Sequence, residues 1–160
     1  MEFVFDKKFV LNWTPNPARP GAADAIVFIL KYSILGGGFV TIFAVVGYPV
    51  AALILWASAV EEQAMVTWMK NAVDPFRAAV ILRMTLIGSE FIFFGLPVGA
   101  FGSVSNVVSH FQERAIPTAV HLSLLCLGYV LMQRRLSWTK IWFSCAAGHL
   151  FYNSAVEIFS

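Results

Sequence analysis

The sequence predicts an all-α membrane protein with about four transmembrane helices, short amphipathic interfacial helices and an extended N-terminal arm. Three observations point there. Of 160 residues, 59% are hydrophobic and only 12% charged, where a soluble domain carries about a quarter charged residues. Mean hydropathy is +0.74. The apolar runs are long enough to cross a bilayer, which takes about 20 helical residues.

Residues 1–24 read as the arm. Pro15, Pro17 and Pro20, followed by Gly21, break any helix there, and no hydrophobic stretch of leader-peptide length precedes them. Residues 25–160 read as one polytopic helical domain. Its first span is expected over about 34–60, with Ala25–Tyr32 as a lead-in, a kink at Pro49 and Trp56 at the interface.

Residues 61–74 place Met65, Trp68, Met69 and Ala72 at helical spacing against Glu61, Glu62, Lys70 and Asn71. That is the pattern of a short amphipathic helix lying at the interface or on a partner. Asp74-Pro75 has the form of an N-cap followed by proline at the first helical position, so a second span is expected over about 75–99. It holds Arg83 and Glu90, and its end carries Gly95 and Gly99 in a GxxxG pattern suited to close helix packing. Residues 103–114 form another amphipathic piece, with 95–111 as an alternative re-entrant segment and His110 in a solvated loop. Spans over about 115–132 and 138–159 complete the chain. The short turn Gln133–Ser137 between them forces an antiparallel hairpin.

Topology is undetermined by charge. With the N-terminus inside, five Lys and Arg flank the inside ends and six the outside ends, which the positive-inside rule does not separate. The basic residues are scattered, so nucleic acid is excluded as a partner. Cys126 and Cys145 fall inside apolar helices and read as packing residues.

His121 and His149 stand about 14 residues either side of the hairpin centre, hence at nearly one depth inside the bilayer. Ionisable residues there are functional candidates. Facing histidines suit axial ligation of haem b. The competing reading is packing, with each imidazole bonded to a neighbouring helix or to Ser123 or Ser144; no cofactor other than lipid is the expectation. Arg83 and Glu90 form a second candidate, an intramembrane pair or relay. Seven residues is about 10 Å of rise, too far for direct contact without a third group. The structural alternative has Arg83 reaching the interface and Glu90 paired with a neighbouring subunit.

No G-x-S-x-G, P-loop, H-E-x-x-H or C-x-x-C is present, so no catalytic or metal-ligating set is assigned. The expected function is a non-catalytic accessory subunit of a larger membrane complex, with other membrane subunits and lipids as partners, in a bacterial or organellar inner membrane that transduces energy. The alternatives are a small haem b redox protein using His121 and His149, and a proton or ion conductor working through Glu90.

Overall fold

The computed structural model describes residues 21–97 and 99–159, which form five α-helices and no strands. They are α1 (Ala22–Val45), α2 (Pro49–Asn71), α3 (Pro75–Gly95), α4 (Val104–Gln133) and α5 (Trp138–Phe159). Helices α1 to α4 are each long and apolar enough to cross a membrane. The chain is a multi-pass membrane protein by that measure. The expected arm lies outside the described residues except for 21–24, and of these Ala22 already begins α1.

The first apolar run does not make one kinked span over 34–60. It is cut in two, because Gly47 adopts a left-handed conformation (φ 82°) and closes α1. The N–H of Gly47 donates to the Ala44 carbonyl at 3.1 Å, and that of Tyr48 reaches back to Phe43 at 3.1 Å. This is the Schellman arrangement that satisfies the last carbonyls of a helix. Pro49 then starts α2, where its missing N–H costs nothing.

Residues 61–74 are not a separate interfacial helix either. Residues 62–71 continue α2 after a π-helical turn, Ala57–Glu61, and this half of α2 is the most buried element described. Met65, Trp68 and Met69 are at most 2% exposed. They pack against α3 on one side and α5 on the other. The amphipathic spacing was a sound guide to the buried face but could not say whether that face met headgroups or other helices.

Asp74 caps α3 through a 3.0 Å bond accepted from the Arg77 N–H. Ser103 caps α4 by accepting from Asn106 at 3.2 Å. The expected amphipathic piece 103–114 is the first third of α4 rather than a separate helix. At 30 residues α4 is about 45 Å long, more than a hydrocarbon core of about 30 Å requires. Pro117 sits inside it, which membrane helices tolerate.

The turn after α4 is a second Schellman ending. Arg135 takes the left-handed place (φ 59°), Arg135 N–H donates to Met132, and Leu136 N–H to Leu131. Helix α5 therefore runs back along α4. Gly128 faces Cys145, Gly148 faces Leu124, and His121 meets His149, which fixes the antiparallel register. Helix α5 has 22 residues but is not among the four helices apolar enough to count as spans; the fourth is α2, created by the break at Gly47.

Candidate functional site

Four helices bring ionisable side chains to one place in the bundle. Helix α2 supplies Glu61 and Glu62, α3 supplies Arg83 and Glu90, α4 supplies Arg114 and His121, and α5 supplies His149. Glu62 and Arg83 are wholly buried, His149 is 2% exposed, His121 4% and Glu61 6%. Glu90 and Arg114 are partly exposed, each side chain at 21%.

Arg83 is the hub. Its Nη2 donates to both carboxylate oxygens of Glu62 at 2.6 Å, and Met65 Sδ lies 3.3 Å from the same nitrogen. Its Nη1 lies 3.0 Å from His121 Nδ1. A guanidinium has only donors to offer, so Nδ1 is the acceptor and the neutral ring carries its proton on Nε2. That nitrogen stands 3.4 Å from Glu90 Oε1. Glu90 in turn accepts from Arg114 Nη2 at 2.7 Å. On the far side, His149 Nδ1 lies 2.9 Å from Glu62 Oε1. The ionised carboxylate can only accept, so Nδ1 donates, and in a neutral ring the lone pair is then on Nε2. Both tautomers follow from the hydrogen-bond network.

The structure thus separates the residues that sequence spacing had paired. Arg83 neither reaches an interface nor meets Glu90 directly; it turns inward to Glu62. Glu90 finds Arg114 within the chain rather than in a neighbouring subunit. His121 is the third group between Arg83 and Glu90, one ring nitrogen toward each. His110 is no solvated loop residue: it lies in α4, 3% exposed, with its Nε2 2.8 Å from the Phe91 carbonyl.

The two depth-matched histidines do meet. Their rings touch edge to face, with centroids 4.9 Å apart. That contact does not fit a shared haem. A macrocycle ligated by both would have to push the rings apart, and ligation through His121 Nε2 would move that ring's proton to the Nδ1 that accepts from Arg83. Nor do they bond to Ser123 or Ser144; Ser123 donates to Ala119 of its own helix.

Glu61, His121 and His149 offer donor atoms within 4.8 Å of one another, a carboxylate with two imidazoles that would suit a transition metal. However, Arg83 Nη1 already lies among them, 3.0 Å from His121 Nδ1 and 3.7 Å from Glu61 Oε2. The guanidinium already sets a positive charge beside two of the three donors.

Gly95 packs closely: a Cβ there would lie 2.8 Å from the Phe101 ring and 3.1 Å from His110 Nε2. Gly99 instead occupies a left-handed turn (φ 65°) with open space beside it. Cys145 is buried, its Sγ 3.7 Å from the Leu124 carbonyl, and Cys126 is exposed.

Sequence reasoning named Arg83, Glu90, His121 and His149 but assigned no site role to Glu61, Glu62 or Arg114. A signal for the glutamates exists: adjacent carboxylates between the mostly apolar 57–60 and the apolar 64–66, inside a stretch whose spacing also fits an interfacial face. Comparison of the chain with protein-family models, curated proteins and solved structures finds no match, so the geometry of this polar core is the basis for any functional reading.

Proposed function

We propose that this membrane protein transfers protons within the bilayer, through the buried carboxylates and imidazoles gathered around Arg83. One observation carries the reading: a chain of polar contacts runs from the partly exposed Glu90–Arg114 pair to the wholly buried Glu62–His149 pair. Polar contacts of this kind inside a membrane are expensive and mark ion pathways and proton relays.

The relay has two halves. Glu90 and His121 form the half nearer the exposed end, and Glu62 and His149 the inner half. Arg83 stands between them. Arginine does not give up its proton in proteins, so no proton passes through it. It also occupies the His121 nitrogen that a proton from the inner half would need. Transfer between halves therefore requires Arg83 to move off His121. This is the behaviour of a gated, coupled device rather than an open channel.

Reconstituted vesicles carrying an internal pH dye and an imposed potential test the proposal. Glu90→Gln should abolish proton flux while the protein remains folded and monodisperse. Wild-type flux in that variant would remove Glu90 from the path. An accessory role in a larger complex of an energy-transducing membrane has no observation of its own here, since Arg83 and Glu90 both find counter-charges within the chain. Native mass after gentle solubilisation tests it separately.

A further inference from the structure

We propose that Glu61 is the proton-holding residue of this core, and that its ionisation draws Arg83 away from His121; the second half of this rests on the relay reading above. Three observations converge on Glu61. First, it ends the π-helical turn of α2. An α-helix splays neighbouring side chains by about 100°, yet Glu61 and Glu62 are both buried. Single π-turns within helices are frequent at functional sites.

Second, Glu61 Oε2 is buried with no hydrogen-bond partner. The cation nearest to it is Arg83 Nη1 at 3.7 Å, beyond hydrogen-bond length, and both of that group's terminal nitrogens are committed elsewhere. Third, the core does not balance. Glu61, Glu62 and Glu90 face Arg83 and Arg114, which leaves one negative charge in excess when all are ionised. Glu62 and Glu90 each have a guanidinium within 2.7 Å; Glu61 does not. An uncompensated buried charge is costly, and a proton on Glu61 removes it.

The groups that bear on Glu61 come from every helix of the bundle: Tyr32 of α1, Glu62 of α2, Arg83 and Glu90 of α3, His121 of α4 and His149 of α5. Tyr32 donates its hydroxyl to the Trp56 carbonyl at 3.2 Å, so that proton is spent on α2 backbone. His149 is the acceptor: one of its ring nitrogens lies within 4.8 Å of a Glu61 carboxylate oxygen, and Nε2 is the nitrogen not engaged by Glu62. In the step, the Glu61 carboxyl and His149 Nε2 first close to hydrogen-bond distance, directly or through one water; the Glu61 O–H then breaks, its proton goes to His149 Nε2, and a carboxylate and an imidazolium result with no change in total charge. The new carboxylate attracts Arg83 Nη1, which leaves His121 Nδ1 open to a proton.

Infrared difference spectroscopy of the full chain in lipid vesicles, in H2O and D2O, tests this. The wild type should show the carbonyl band of a protonated carboxylic acid, shifted by deuterium. Glu61→Gln, which keeps the shape of the neutral acid, should lose it; Glu61→Asp should move it; Glu90→Gln should keep it. A band that persists in Glu61→Gln overturns the assignment, as does a wild type with no such band and a stoichiometric metal ion instead. Failure of the relay reading shows differently, as a Glu61 band that behaves as expected in vesicles that pass no protons. The Arg83 movement is checked by 15N NMR of His121. In Glu61→Gln its Nδ1 should stay hydrogen-bonded at all pH values, whereas in the wild type it should lose that bond as Glu61 ionises; identical behaviour in both proteins overturns the coupling.

Discussion

Two ion pairs of the same chemistry lie in one bundle and differ in what surrounds them. Arg83 with Glu62 and Arg114 with Glu90 are both carboxylate–guanidinium contacts, at 2.6 and 2.7 Å. The first pair is wholly buried and the second is about one-fifth exposed. Distance alone would rank them as equals. Burial separates them: charges removed from water must be matched by geometry and further hydrogen bonds, and removing one partner leaves the other stranded. A partly exposed pair can be resolvated when broken. The inner pair accordingly has additional partners, His121 on Arg83 and His149 on Glu62. The outer pair rests on fewer contacts, including the Phe94 ring 4.8 Å from the Arg114 guanidinium.

The largest expected effect comes from breaking the inner pair on one side. Arg83→Met should destabilise the protein by about 3–5 kcal/mol, read as a lowered unfolding midpoint in mild detergent. A loss below about 1 kcal/mol would mean that water enters the core and that the two pairs are equivalent. A sharper test follows from replacing both partners. The double variant Arg83→Met with Glu62→Met should recover most of that loss, because an apolar pair of similar volume is often neutral or better. Recovery restricted to a small fraction would show that Arg83 chiefly offsets Glu61 and Glu90 rather than Glu62. The smallest effect belongs to the outer pair. Arg114→Met should cost about 1 kcal/mol or less, and its proton flux should fall before its stability does.

The same contrast separates what could be read in the chain from what could not. The hairpin 133–137, the cap at Asp74 and the depth match of His121 with His149 follow from local rules: turn length, capping chemistry and rise per residue. Each concerns residues near in sequence or related by one short turn. The break at Gly47 is also local, although Pro49 is the stronger helix-breaking signal; glycine in a left-handed place ends the helix before proline can kink it. The site was partly legible for a related reason. An intramembrane Arg, Glu or His stands out because its burial is costly wherever it points. Glu61 and Glu62 did not stand out, since beside Lys70 and Asn71 they completed the polar face of a plausible surface helix.

The sequence by itself determined the membrane class, the helical content, the final hairpin and the presence of buried ionisable groups. Those depend on composition, on apolar run length and on backbone rules acting over a few residues. Only the tertiary structure decided that residues 62–71 of α2 lie in the middle of the bundle, that Arg83 turns to Glu62 while Glu90 turns to Arg114, and that the two histidines touch each other instead of a shared ligand. Periodicity states which side of a helix is apolar or charged. What that side meets depends on the rotation and sideways placement of each helix against its neighbours, set by packing between residues as far as 95 apart in sequence, as Ser58 and Asn153 are.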